Sequence, residues 1–375
     1  MRSLNFSPYK IITGRGSLEA LKSVDGNRFL IVTGGQSMRK SGVLDRMLSY
    51  LDGRAVHIYE GVSKNPTINE VYKGLAHMHA FQPDTLIAVG GGSAMDVAKS
   101  MIVFYEHPDL SFESVATANL PERREKVHLI AIPSTSGTAS EVTKSSVITD
   151  PKRGIKVPIN CMANKPDIAI LDSDLTMTLP DNVVAETGMD ALTHAVECYL
   201  RVDCDDFDAV LAQGAILGIM EWLPVSYKEK GQEAREKMHN YQCIAGLAFT
   251  NGGLTMVHGI SHAFGGIYNY AHGLSNAVVL PYVLKYNLQV ASVAKKQKKL
   301  AHMIGCDDFI AAVENLKEEL NIPKTIRDMG LDEETYQRDR ARLAASSLMG
   351  PTKFNPVKMD EHNILEVLDQ CYYGV

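Results

Sequence analysis

Between Met238 and Leu284 the 375-residue sequence contains no Asp, Glu, Lys or Arg, although 22% of the whole chain is charged. Four of the twelve histidines fall inside that gap: His239, His258, His262 and His272. A charge-free stretch of this length raises the question of a membrane span. Its Gly, Asn, Ser, His and Gln residues break every run that approaches the roughly 20 apolar residues a span needs. The gap therefore reads as a buried, charge-poor interior that carries imidazoles. No charged segment leads from Met1–Tyr9 into an apolar stretch, so no secretory leader is expected. The six cysteines (Cys161, Cys198, Cys204, Cys243, Cys306 and Cys371) include no C-x-x-C pair. They read as reduced, mostly buried thiols in a cytoplasmic protein. Positive charge is not in excess either: 38 Lys plus Arg face 44 Asp plus Glu, a net charge of -6. That balance offers no footprint for nucleic acid or an anionic membrane. Also missing are His-Glu-x-x-His, a Walker A loop and a Gly-x-Ser-x-Gly elbow.

What is present falls into two halves. Phe29–Thr33, Leu86–Val89, Leu129–Ile132 and Ile168–Leu171 are short, nearly continuous apolar runs, as expected of strands buried on both faces of a parallel sheet. Ile68–Phe81 and Ala94–Tyr105, lying between them, have helical periodicity. The pattern is βαβ, hence an open α/β sheet. Beyond Pro180 such runs cease, and Val183–Leu200, Phe207–Trp222, Ala234–Phe249 and Leu274–Tyr286 read as helices. Much of the chain from Ala291 onward is also helical. The expected organisation is an α/β dinucleotide-binding domain over residues 1–181 and an all-helical metal-binding and catalytic domain over residues 182–375.

Three loops in the first half carry chemistry. Gly90-Gly91-Gly92-Ser93 follows one strand and opens a helix near Ala94. Glycines there let the backbone approach a phosphate, and the helix start supplies free N–H groups and a positive dipole end that Asp96 also suits. Alone, such a run equally fits a tight turn that binds nothing. Pro133–Glu141 (Pro-Ser-Thr-Ser-Gly-Thr-Ala-Ser-Glu) follows another strand, with Thr135, Ser136 and Thr138 suited to phosphate and ribose. Two such loops at strand ends of one sheet favour a dinucleotide across the crevice. The third, Gly34-Gly35-Gln36-Ser37-Met38-Arg39-Lys40, lacks the acid that would accept from the adenosine ribose 2′-OH. Ser37, with Arg39 and Lys40 beside it, would tolerate a 2′-phosphate, although such a basic pair is more commonly solvated.

In the helical half, Asp190 and His194 are four residues apart and share a helix face, and His258 and His262 repeat that spacing; His272 follows. A lone histidine on an apolar face is usually a hydrogen-bonded core residue. Several imidazoles and one carboxylate in charge-poor segments instead suit a divalent metal such as Fe, Zn, Co or Ni. With a coordination position left open, such a site acts as a Lewis acid on a carbonyl or alkoxide. Glu197 shares the face of His194 and could support a ligand from behind, although a solvated or inter-helix residue is the commoner case.

Taken together these motifs resemble the iron-dependent (group III) alcohol dehydrogenase family, over nearly the whole chain. The likeness is carried by Asn65-Pro66-Thr67, Gly90–Asp96, Ile132–Thr143, Asp150–Lys156 and Gly188–Glu197, and is strongest toward the propanol- and ethanol-utilisation dehydrogenases. It implies a dehydroquinate synthase-like architecture and a homo-oligomer of two or more subunits. It implies a metal, Fe(2+) with Zn(2+) as the other option, held by Asp190, His194, His258 and His272. His262 matches a further active-site histidine that is not a ligand. Asn65 and Lys156 match cofactor-side positions, Lys156 near the nicotinamide ribose, and Gly91, Gly92, Ser93 and Asp96 match the phosphate loop. Three departures stand out. Ala139 replaces a common Gly, Asn355-Pro356-Val357 replaces Asn-Pro-Arg, and Gly34-Gly35 replaces the Asp of NAD-preferring relatives. The last favours NADP(H) over NAD(H).

The implied reaction is reversible hydride transfer between NAD(P)H and a small primary alcohol–aldehyde pair. In it the metal polarises the aldehyde oxygen and His262 relays a proton. Reduction of a semialdehyde such as succinic semialdehyde is an alternative. So is a sugar-phosphate cyclase, which would need a Lys and Arg cluster that the charge-free gap does not offer. A non-catalytic scaffold would lack ligands, and all four are present.

Overall fold

The computed structural model describes residues 4, 6, 8–115 and 118–375, so the reading of Met1–Tyr9 falls largely outside the described residues. The chain forms two compact units, Met1–Thr178 and Leu179–Val375.

The first unit has strands β1 (Lys10–Thr13), β2 (Arg28–Gly34), β3 (Ala55–Val62), β4 (Thr85–Gly90), β5 (His128–Pro133), β6 (Ser145–Asp150), β7 (Ile155–Asn160) and β8 (Ile168–Leu171). Its helices are α1 (Ser37–Lys40), α2 (Val43–Tyr50), α3 (Ile68–Phe81) and α4 (Gly92–Glu106). Six strands make one sheet in the order β1-β8-β5-β4-β2-β3, every pair parallel. The apolar runs explain this. Leu30, Val32, Leu86, Ala88, Leu129 and Ala131 point to one face, against Val71, Met78, Met95 and Met101 of α3 and α4. The residues between them, Phe29, Ile31, Ile87, Val89, Ile130 and Ile132, pack the other face against Val43, Leu44 and Met47 of α2. A capping box of Thr67 and Glu70 starts α3, where the sequence periodicity places it.

Four strands went unanticipated. The edge strands β1 and β3 are only partly covered, so neither reads as a continuous apolar run. β6 and β7 form a separate antiparallel hairpin, tied to the start of α3 by Thr149 N–H donating to Pro66 O at 2.8 Å.

The second unit contains only helices among the described residues: α5 (Asp181–Leu200), α6 (Asp206–Lys228), α7 (Gln232–Gly252), α8 (Met256–Tyr268), α9 (His272–Tyr286), α10 (Ala291–Met303), α11 (Phe309–Glu319), α12 (Glu333–Ser347) and α13 (Glu361–Tyr373), with short 3-10 turns. They share one apolar core that includes Met189, Leu192, Ile216, Ile260, Phe264, Leu280 and Tyr336. Helix α8 is the element that periodicity did not mark out, since Gly259, Gly265 and Gly266 dilute its pattern. Among the described residues α6 alone has the length and apolarity of a membrane span as a single helix. Ala212, Ala215, Ile216, Ile219 and Leu223 bury one side of it in the core. The charge-free gap is folded into most of α7, α8 and most of α9, with α7 and α8 bent by 101°.

Candidate metal centre and dinucleotide loops

In the first unit, the order β5-β4-β2 sets the three sequence-derived loops side by side at the strands' C-terminal ends. Gly90 has φ +143, a conformation that favours glycine, and a Cβ there would lie 3.9 Å from the amide of Gly34. Gly91 is the N-cap of α4, and Gly92 and Ser93 are its first two residues; the Ala94 amide donates to Gly91 O at 3.1 Å, and those of Gly92 and Ser93 remain to meet an anion. A Cβ on Gly92 would come within 2.9 Å of Thr138, which joins the glycine loop to the hydroxyl loop. In that second loop Thr135 and Thr138 keep some exposure, whereas Ser136 is buried. Ala139 adopts φ 51, a left-handed conformation that accounts for the glycine common at this place in the family.

Asp96 does more than complement the helix dipole. It accepts from Ser140 Oγ and from the Val147 amide, both at 3.1 Å. Burial pushes its carboxyl up to about 6 against the pull of Lys99. Lys99 is 1% exposed and donates to Ser140 Oγ (2.8 Å), Thr143 O (3.0 Å), Thr143 Oγ1 (3.1 Å) and Ser145 O (2.9 Å). Burial lowers that ammonium to about 8. The two side chains thus bolt the hydroxyl loop onto α4, a role the sequence motif did not reveal. Asn65, at φ 53, accepts from Lys156 Nζ at 2.7 Å, bringing together two expected residues that are 91 positions apart.

Ser37 is exposed at the start of α1. The sequence offered no acid in its loop, but parallel pairing of β2 with β3 corrects that picture. Glu60, near the end of β3, is forked by Arg39 through Nη2 to Oε1 and Nε to Oε2.

In the second unit, the i,i+4 spacing on α5 puts Asp190 and His194 on one face, α8 brings His258, and α9 begins with His272. Asp190 Oδ1 lies 3.9 Å from His194 Nε2, 3.9 Å from His258 Nε2 and 3.7 Å from His272 Nε2. Each separation is below about 4.2 Å, twice a metal–ligand bond of roughly 2.1 Å. Ligand atoms of Asp190, His194 and His258 lie within 4.8 Å of one another. The rings are held by stacking: His194 on Phe249 (4.2 Å) and on His258 (4.7 Å), and His262 on His272 (5.2 Å). Side-chain exposure is 6% for His194, 0% for His258 and 28% for His272, so the cluster opens on the His272 side.

Asn276, one turn after His272, tests whether a cation fits. Its Nδ2 lies 2.7 Å from Asp190 Oδ1, 3.1 Å from His258 Nε2 and 3.2 Å from His272 Nε2. Two amide hydrogens cannot serve three acceptors fully, and the buried Asn276 Oδ1 has no partner. Three acceptors converging on one point, with nitrogen and oxygen donors in this ratio, fit a divalent transition metal.

Glu197 is the residue that sequence reasoning undervalued. It is neither solvated nor merely inter-helical: only 3% exposed, it accepts from His258 Nδ1 at 2.5 Å, and from Thr255 Oγ1 and the Val257 amide at 2.7 Å each. Burial raises its carboxyl, but the His258 ring and the hydrogen bonds outweigh that and leave it below its ordinary value. A carboxylate only accepts, so His258 carries its proton on Nδ1 and turns the Nε2 lone pair toward Asp190. The i,i+3 offset from His194 was visible in sequence. The partner 61 residues away was not.

A parallel-sheet unit with glycine and hydroxyl loops, and a helical unit with a buried Asp–His cluster, define a nicotinamide-dependent, metal-using oxidoreductase. Family signatures agree: iron-containing alcohol dehydrogenase matches residues 8–173, and the C-terminal part of the same family matches residues 184–372. The NADPH-dependent butanol dehydrogenase of Clostridium saccharobutylicum is 40% identical, covering 98% of this chain and 97% of that one. The aldehyde-alcohol dehydrogenase of Streptococcus pneumoniae serotype 2 is 37% identical, and the chain spans 46% of that longer protein. The solved structure of an iron-containing alcohol dehydrogenase from Thermococcus thioreducens superposes with a TM-score of 0.92 at 34% identity, covering 100% of both chains. The chain belongs to the iron-containing alcohol dehydrogenase family. Its chemistry is the interconversion of alcohols and aldehydes with NAD(P)H.

Proposed function

We propose that the protein is a cytoplasmic, homo-oligomeric reductase of small neutral aldehydes such as propanal or butanal, acting without nucleic acid or membrane partners. Residues 1–181 take the dinucleotide and residues 182–375 take the metal and carry the catalytic groups. The convergence of Asp190, His258 and His272 on Asn276 Nδ2 is the observation that carries this reading. With His194, these three residues would hold iron, or zinc as the other option. A divalent cation there supplies Lewis acidity toward a carbonyl oxygen, and the reduced nicotinamide supplies hydride.

The chain's own residues do the rest. Glu197 keeps the His258 proton on Nδ1, which leaves Nε2 free to coordinate. His262, stacked on His272 at the partly open side of the cluster, passes a proton through its imidazole to the product oxygen. Gly91, Gly92 and Ser93 receive the pyrophosphate, Thr135, Ser136 and Thr138 line its second side, and Asn65 and Lys156 approach the ribose of the nicotinamide. Asp96 supports them by fixing Ser140. Ser37, in an acid-free loop, leans the preference to NADP(H), as does the 40% identical relative named for NADPH.

The segment bearing His258, His262 and His272 holds no charged residue, so a substrate carboxylate or phosphate finds no counter-charge on it. The test is NADPH and NADH consumption with butanal, propanal and succinic semialdehyde. Expected is a kcat/KM for butanal at least about ten-fold above that for the semialdehyde acid, a difference of roughly 1.4 kcal/mol. Equal or greater activity on succinic semialdehyde would overturn the substrate assignment, and no net cofactor consumption with any aldehyde would overturn the reductase reading.

A further inference from the structure

We propose that the Arg39–Glu60 pair is the element by which this protein discriminates between NADPH and NADH. The inference rests on the dinucleotide reading of the three loops and goes beyond it by assigning the discriminating residues.

The location follows from the sheet. Ligands of open parallel sheets bind outside the C-terminal ends of the strands. The glycine loop after β4 and the Gly34–Ser37 loop after β2 are in contact there, a Cβ on Gly90 falling 3.9 Å from the Gly34 amide. The adenosine half of a dinucleotide whose pyrophosphate lies at the start of α4 therefore reaches the β2 side. Gly34, Gly35 and Ser37 offer no charge to its ribose. The charged groups at that place are Arg39 and Lys40 of α1 and Glu60 of the neighbouring strand, with Asp45 of α2 further along. The β2–β3 register shifts between Val32 and Gly34, which leaves Glu60 without a ladder partner, next to this strand end.

The pair is accessible and geometrically specific. Side-chain exposure is 53% for Arg39 and 33% for Glu60, so a ligand can reach both. Both ends of the guanidinium fork are engaged, Nη2 on Oε1 and Nε on Oε2 at 3.4 Å. An arginine fork holds a carboxylate or a phosphate in this bidentate way, but one fork cannot hold both. A ribose 2′-OH can donate to Glu60 while Arg39 stays in place. A 2′-phosphate must instead compete with Glu60 for that edge of the guanidinium or take the Nη1 end, and either way it lies beside Glu60 as a like charge. Glu60 thus restrains a loop that otherwise favours NADP(H).

The experiment measures dissociation constants of NADPH and NADH by nucleotide fluorescence on the wild-type holoenzyme and on Glu60→Gln and Arg39→Gln. Steady-state kcat/KM for both cofactors accompanies the binding data. Glu60→Gln is expected to tighten NADPH about ten-fold and to shift NADH by less than about three-fold. Arg39→Gln is expected to weaken NADPH about ten-fold or more and leave NADH near wild type. A Glu60→Gln protein whose NADPH-to-NADH ratio stays within two-fold of wild type would overturn the proposal while leaving the dinucleotide reading intact. Wild-type protein that binds neither nucleotide would overturn both.

Discussion

Gly273→Ala is expected to cost the fold about 3 kcal/mol or more, at or beyond the upper end of the usual overpacking range, and to deplete the metal centre. A Cβ on Gly273 would lie 2.3 Å from the carbonyl oxygen of Glu186, 2.9 Å from its carbonyl carbon and 3.3 Å from Asp190 Cβ. The two nearest atoms are backbone of α5, so no rotamer change relieves the clash. Helix α9 has to move off α5, and those two helices carry His272 and Asp190, now 3.7 Å apart through Nε2 and Oδ1. The consequence is larger than lost packing, because the proposed ligand set comes apart at the same seam. Thermal unfolding should fall by several degrees, and bound metal should drop to about a tenth of wild type or less, at least as much as loss of a supporting hydrogen bond costs. Gly214→Ala on α6, where nothing lies within 4 Å of a new Cβ, is the control and should be neutral or slightly stabilising. A Gly273→Ala protein with wild-type melting and a full complement of metal would show that the close approach of α5 and α9 is not what assembles the site.

The parallel sheet was legible in the sequence because its four inner strands are buried on both faces and read as unbroken apolar runs. β1 and β3 were not, because an edge strand needs no such run. Pairing with β3 was also what set Glu60 beside Arg39, and a contact between neighbouring strands leaves no trace in the loop sequence itself. Asp190 and His194 could be placed on one helix face from their spacing alone. That His258 and His272 join them depends on helix packing, which spacing does not encode; it was the family resemblance that supplied those two. Glu197 and Asn276 show the limit most clearly. Each lies four residues or fewer from a proposed ligand, yet their partners sit on other helices as well. A buried carboxylate with three donors cannot be told from a solvated one by sequence. The glycines of α8 hid a helix for a related reason: Gly259 is there to let Thr352 and Ser347 approach, a Cβ falling within 2.8 Å of the Ser347 carbonyl.

Removal of His258 carries the second large effect. Alanine there removes one proposed ligand and takes from the buried Glu197 carboxylate the bond donated by Nδ1, leaving only those from Thr255 and Val257. If Lewis acidity supplies several kcal/mol of the barrier reduction, His258→Ala lowers turnover about 10³-fold. Glu197→Gln should fall between wild type and His258→Ala. Its amide hydrogens would face His258 Nδ1 and favour the tautomer with the proton on Nε2, weakening metal binding about 10- to 100-fold.

The most direct measurement is a titration of metal-free protein with Fe(2+) in the absence of air, following butanal-dependent NADPH oxidation and bound iron together. For wild type, turnover should rise from near zero and saturate at about one iron per chain, whereas His258→Ala should gain little at the same iron concentrations. Full turnover by the metal-free wild-type protein, or restoration of His258→Ala to wild-type turnover, would contradict the account.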